Sequence, residues 1–199
     1  NGNSILGVSL GDIPAIADID FDGDIDILTF NALGNRVEYH QNQSMDLYGI
    51  PDSLIFELRN ECWGKFTEND LNNGIVLNDP NAPCVGGNIP NPERNFNDLA
   101  AVSKKHVGST ILALDIDSSG VMDLLIGDAS HSSLTLLING GTAVNTDSPM
   151  TSLEYNFPMY TTPIKVTMFP APYFLDVDFD GVKDLIITPN ALLVSFNES

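Results

Sequence analysis

Carboxylates recur in this chain at a spacing that suits a hard cation. The nonapeptides Asp18-Ile19-Asp20-Phe21-Asp22-Gly23-Asp24-Ile25-Asp26, Asp115-Ile116-Asp117-Ser118-Ser119-Gly120-Val121-Met122-Asp123 and Asp176-Val177-Asp178-Phe179-Asp180-Gly181-Val182-Lys183-Asp184 share one pattern, D-x-D-x-[DS]-G-x-x-D. Calcium takes six to eight oxygens, and positions 1, 3 and 5 of a tightly curled loop converge while the residues between them point away. Glycine at position 6 (Gly23, Gly120, Gly181) permits the sharp turn. Position 7 (Asp24, Val121, Val182) is expected to offer its backbone carbonyl, and the Asp at position 9 (Asp26, Asp123, Asp184) closes the shell from the far side. Calcium is therefore the expected cofactor of all three loops, with Ser119 in place of a carboxylate at position 5 of the second. The loops are not EF-hands, which carry a bidentate Glu at position 12 between two helices; position 12 here is Thr29, Ile126 or Ile187.

The segments around the loops must hold them in shape. Ile13-Pro14-Ala15-Ile16-Ala17, Thr110-Ile111-Leu112-Ala113-Leu114 and Ala171-Pro172-Tyr173-Phe174-Leu175 precede them. Ile27-Leu28-Thr29-Phe30, Leu124-Leu125-Ile126-Gly127 and Leu185-Ile186-Ile187-Thr188 follow. Short apolar runs rich in branched residues and bounded by Gly or Pro mark buried strands, so each loop is expected to connect the two strands of a β-hairpin. A further strand-like stretch ending in Asn follows each hairpin, at Arg36–Asn42, Ser133–Asn139 and Ala191–Asn197. The second and third loops start at Asp115 and Asp176, 61 residues apart, which leaves room for a fourth strand near Leu153-Glu154-Tyr155-Asn156-Phe157. A repeated four-stranded unit of that length predicts an all-β fold of antiparallel propeller blades.

These residues resemble the FG-GAP/VCBS repeats, the calcium-loop blades of integrin-α-like β-propellers, over roughly residues 5–42 and 107–199. Gly108-Ser109-Thr110 before the second loop and Leu125-Ile126-Gly127-Asp128 after it look like surface proteins of gliding, Bacteroidota-type bacteria exported by the type IX secretion system. The resemblance implies a secreted or cell-surface protein, a module for adhesion or for binding a glycan or protein, with translocon components of a secretion system as further partners. A closed propeller needs about four to eight blades, so the three repeats are expected to be a fragment of a larger propeller or a processed product, with any export signal outside these residues. The expected organisation is a first blade-like repeat at 1–42, an irregular insertion at 43–106, a second blade at 107–157 and a third at 158–199.

Composition narrows the partners. Asp and Glu number 27 against 8 Lys and Arg, a formal net charge of −19 over 199 residues. Nucleic acids and anionic membrane surfaces need clusters of Lys and Arg that such a chain lacks, and no apolar run approaches the length of a membrane span. With 43% hydrophobic residues the chain has enough apolar material for a core.

Residues 43–106 hold both cysteines, the single Trp63 and a stretch dense in Asn, Pro and Gly from Asn78 to Pro92, the composition of surface turns. Cys62 and Cys84 are expected to form a disulfide, worth about 3 kcal/mol in the chain-entropy model and suited to an oxidising compartment; two free thiols are the alternative. Trp63, with Phe66 or Tyr48, would either stack on a sugar ring or pack a small core within the insertion. His40, His106 and His131 lack metal-ligand spacing, and no nucleophile elbow, phosphate loop or dinucleotide fingerprint occurs. No catalytic residue is assigned and a non-enzymatic role is expected. A carbohydrate-active propeller such as a polysaccharide lyase is the competing reading, with Lys104-Lys105-His106 as its basic cluster. Asn42-Gln43-Ser44 and Asn197-Glu198-Ser199 match the N-glycosylation pattern at places where the repeat ends in Asn anyway. Asp52-Ser53-Leu54 matches the O-glycosylation triplet of Bacteroidota exported proteins.

Overall fold

A computed structural model of the chain describes residues 6–69, 74–78, 108–144 and 148–190. Among these the architecture is all-β, built from antiparallel sheets with one short helix. The first sheet runs β1 (Ala15–Ala17), β2 (Asp26–Phe30), β3 (Val37–Asn42) and β4 (Phe56–Asn60), each strand paired with the next in sequence. Helix α1 (Ser44–Tyr48) lies between β3 and β4 and ends at Gly49 in the left-handed conformation. A turn of 3-10 helix (Trp63–Lys65) leads into the hairpin of β5 (Phe66–Asn69) and β6 (Gly74–Leu77). The second four-stranded sheet follows the same up-and-down order through β7 (Ser109–Leu114), β8 (Asp123–Asp128), β9 (Leu134–Asn139) and β10 (Met150–Tyr155). The third unit is a hairpin of β11 (Pro170–Leu175) and β12 (Asp184–Pro189).

Strand β8 shows why these sheets stack. All six of its residues are buried, which in an antiparallel sheet happens only when both faces are covered. Successive side chains leave a strand on opposite faces. Leu124 and Ile126 accordingly enter a core with Leu28, Phe30, Val37, Trp63, Phe66 and Met150, whereas Leu125 enters a second core with Leu134, Leu136 and Phe157, flanked by Leu185 and Ile187. The second sheet is thus packed between the first sheet and the third hairpin. Fully burying one such aliphatic side chain contributes about 1.5–3 kcal/mol.

The leading strands of the three units also meet. Ile13 bridges Thr110 in parallel, donating its N–H to Ser109 O (3.0 Å) and accepting from Ile111 N (2.9 Å). On the other side of β7, Thr110 Oγ1 donates to Pro170 O at 2.7 Å. A β-carbon on Gly127 would fall 1.9 Å from that same carbonyl, so only glycine admits this approach of β11 to β8. Among the described residues the sheets do not close into a ring.

Three expectations change. Residues 43–69 and 74–78 are not irregular: they hold α1, β4, the 3-10 turn and the strands β5 and β6, and β4 gives the first sheet the four strands of the second. β4 escapes sequence reading because it is a mostly exposed edge strand, with no buried face to impose alternation. Trp63 is 6% exposed and shares the core between the first and second sheets; it neither stacks on a ligand nor packs a separate core of the insertion. The third unit shows two strands, since Ala191–Asn197 lies outside the described residues, as do Lys104-Lys105-His106 and Cys84.

Candidate metal centres

Each acidic nonapeptide joins the first two strands of its unit, as β1–β2, β7–β8 and β11–β12. The three loops share an unusual backbone. Position 4 has positive φ in each, at Phe21 (58°), Ser118 (61°) and Phe179 (61°), followed by Gly23, Gly120 and Gly181 at 102°, 85° and 90°. A left-handed conformation at phenylalanine is costly, so the loop must supply compensating bonds.

Those bonds follow one scheme. Position 1 receives the glycine N–H of position 6: Gly23 N to Asp18 Oδ2 (3.1 Å), Gly120 N to Asp115 Oδ2 (3.0 Å) and Gly181 N to Asp176 Oδ2 (2.9 Å). Position 3 receives the N–H of position 5, on Asp20, Asp117 and Asp178. Position 9 clamps the loop mouth by accepting from position 2: Ile19 to Asp26 (3.0 Å), Ile116 to Asp123 (3.0 Å) and Val177 to Asp184 (3.2 Å). The other oxygen of position 9 accepts the N–H of the Asn that closes the third strand, Asn42 to Asp26 and Asn139 to Asp123, both at 2.8 Å. The recurrent terminal Asn is therefore part of the loop's own support.

With the carboxylates drawn inward, oxygens of Asp18, Asp20 and Asp22, of Asp115, Asp117 and Asp123, and of Asp176, Asp178 and Asp184 each lie within 4.8 Å of one another. Like charges so close repel by roughly 1 kcal/mol per pair in water and several times more where solvent is excluded. A divalent cation removes that penalty. The all-oxygen donor set suits calcium or magnesium rather than zinc. Two orphaned atoms fit the same reading: Asp18 Oδ1 and Ser119 Oγ are buried without a hydrogen-bond partner. Ser119 sits where the sequence places a ligand.

No protein-family model matches the chain, and no curated protein or solved structure matches it either. The functional reading rests on the loops themselves.

The convergent sets differ from the sequence expectation in two places. In the first loop Asp22 stands with Asp18 and Asp20, whereas Asp26, which accepts from Ile19 N and Asn42 N as Asp123 does from its counterparts, also takes the Tyr39 hydroxyl (3.1 Å). In the third loop Asp184 joins Asp176 and Asp178, while Asp180 Oδ1 accepts from Val182 N at 2.7 Å. Val121 and Val182 can contribute only carbonyls. Asp24 turns its side chain away to the N–H of Met45 (2.9 Å), a role that the spacing of the motif does not disclose. Gln41, missed by sequence reasoning, donates to Asp20 Oδ2 at 2.7 Å.

Burial dominates the electrostatics of the loops. It lifts Asp26 to about 6 against the lowering effect of the Asn42 and Ile19 N–H groups. Asp20, Asp24 and Asp123 are raised for the same first reason. Burial, with Asp26 and Asp20 beside it, also raises the Tyr39 phenol, which stays a donor. The second loop has one carboxylate fewer, and charge count tunes calcium affinity. Replacing Ser119→Asp is expected to tighten that site about tenfold, which is 1.4 kcal/mol, read by calorimetric titration of the calcium-free chain. An unchanged weakest site would remove Ser119 from the ligand shell.

Away from the loops, Asp128, Ser130 and His131 contact one another, but His131 Nδ1 faces both Asp128 Oδ1 (3.0 Å) and Ser130 Oγ (2.9 Å). A serine nucleophile needs its hydroxyl on one ring nitrogen and the carboxylate on the other. The cluster is a closed turn between β8 and β9. An open cleft of about 550 Å³ lies beyond the outer strand β10, lined by Leu153, Glu154, Tyr155, Met159, Pro163 and Lys165.

Proposed function

We propose that the chain is a calcium-stabilised, propeller-type β-module of the FG-GAP/VCBS kind, part of a secreted or cell-surface protein that binds a glycan or protein and is carried by an export system such as type IX. The observation that carries this reading is the threefold recurrence of one loop backbone with convergent carboxylates, each between the first two strands of its unit. Two four-stranded meanders, stacked face to face with their leading strands adjacent, support a blade arrangement. Calcium in this reading is structural: it neutralises the carboxylates and holds each hairpin turn.

The cleft beside β10 offers a ligand-sized contact, with Tyr155, Met159 and Pro163 as apolar surface and Lys165 and Glu154 as polar groups. Calorimetry on the calcium-free chain is expected to find three bound calcium ions, and a glycan array probed in calcium is expected to give signals that Tyr155→Ala abolishes. Absence of calcium binding at millimolar concentration sinks the metal reading; array binding that ignores Tyr155 removes the cleft.

The Cys62–Cys84 disulfide belongs to the same proposal, because it fits an oxidising compartment. Cys62 is buried at the start of the 3-10 turn, and its proposed partner lies outside the described residues. Non-reducing peptide mapping is expected to recover the two as one linked pair. Alkylation of both without prior reduction would rule the bond out.

A further inference from the structure

We propose that the first cation loop controls the order of residues 43–55 and that Asp24 is the link. This rests on the calcium reading above and adds regulation to it. Asp24 occupies position 7, where the other loops carry Val121 and Val182. It is 1% exposed. Its Oδ2 accepts the N–H of Met45 at 2.9 Å, at the start of α1, and its Oδ1 is buried without a partner. Its own N–H donates to Asp22 Oδ1 at 3.0 Å, so Asp24 is tied directly to one of the three convergent carboxylates.

Residues 43–55 are tied to the loop at two points, Asp24 through Met45 and Asp26 through Asn42. Asn42, held by Asp26, accepts from Ser44 N (3.2 Å) and Ile55 N (3.0 Å) through Oδ1 and donates to Ser53 O (3.0 Å) through Nδ2. Ser44 Oγ donates to Ile50 O (2.6 Å) and accepts from Ser53 N (3.2 Å), and Gln43 N donates to Ile55 O (2.8 Å). Both ends of the segment are thus pinned through Asn42, Ser44 and Met45. Apolar burial does little to hold it, because Leu47, Tyr48, Ile50 and Leu54 are 50% to 77% exposed. A segment held mainly by hydrogen bonds opens at low free-energy cost.

The second unit supplies the contrast. Asn139 makes the same bond to Asp123 and its Oδ1 likewise accepts from the residue two further on, Gly141, but position 7 is Val121 and no helix follows among the described residues. The carboxylate at position 7 and the helical excursion occur together in the first unit. With a cation at Asp18, Asp20 and Asp22 the loop is held closed and Asp24 is presented to Met45. Without it, five carboxylates within nine residues repel, the loop expands, and residues 43–55 lose their anchor while the stacked sheets remain.

Amide hydrogen exchange on the full chain tests this, with β8 peptides as the monitor of global opening and calcium titration run on the same samples. In saturating calcium the wild type protects residues 44–55, and Asp24→Val, which installs the residue of the other loops, speeds their exchange about tenfold or more while β8 exchange is unchanged, with the calcium concentration set to saturation from the variant's own titration. Asp24→Asn, whose carboxamide oxygen still accepts from Met45, retains the protection. Equal protection of 44–55 in wild type and Asp24→Val overturns the link. Calcium that binds the wild type without slowing exchange over 44–55 overturns the coupling alone, whereas a titration with no bound calcium removes the metal reading and the coupling with it.

Discussion

Removing calcium is expected to lower the thermal midpoint of this chain by roughly 10 °C. A ligand that binds only the native state stabilises it by about 1.4 kcal/mol per site at tenfold excess over Kd, so three loops together contribute roughly 4 kcal/mol. For a chain of this size each kcal/mol moves Tm by about 2–4 °C. The structure points to the loops as the source because each holds three carboxylates within 4.8 Å of one another, a repulsion that only a cation or protonation relieves. The measurement is a pair of calorimetric melts, one in millimolar calcium and one of the same sample after chelation and dialysis. Coincident melts would falsify the structural role of calcium. Magnesium is expected to restore less of the shift, since it favours strict octahedral geometry and keeps its own waters.

The second large effect is a proton linkage in the clamp that supports the first loop. Asp26 titrates at about 6 in the folded chain against an ordinary value near 3.9 in an unfolded one. Between these values the folded state binds a proton that the unfolded state does not, so acidification favours folding. In calcium-free protein, stability therefore rises as the pH falls from 7 through 6 and levels off near 4, by on the order of 3 kcal/mol for Asp26. Asp20, Asp24 and Asp123 move the same way. With calcium bound the dependence is expected to reverse, because acid releases the ion from its carboxylates. Denaturant unfolding of the calcium-free and calcium-loaded chain at pH 7 and at pH 5 checks this. A calcium-free chain that is more stable at pH 7 than at pH 5 would contradict it.

Local chemistry was legible from the sequence because it is written over nine consecutive residues. A curled loop places positions 1 and 3 together in all three copies by its own geometry, and the branched runs beside each loop form β7, β8, β11 and β12 where their composition places them. The fourth strand of the second unit was visible in part, since β10 starts three residues before the expected Leu153–Phe157 and overlaps it over Leu153–Tyr155. What stayed hidden depends on residues far apart in the chain. Asp26 and Asp24 are both carboxylates of one motif, yet Tyr39, Asn42 and Met45, 13 to 21 positions away, engage one as a clamp and the other as a link. The edge strand β4 has little buried surface, and burial is what writes a pattern into a strand.

Trp63 shows the same division. Its neighbours in sequence are turn-forming and polar, and only the stacking of the first sheet on the second buries it beside Met150 and Phe66. Sequence determined that this chain makes three oxygen-lined loops between strands, because those groups are neighbours along the backbone. Tertiary packing decided which oxygens converge, which hold the scaffold and which reach beyond it, because a carboxylate's role is set by the donors that the fold brings to it.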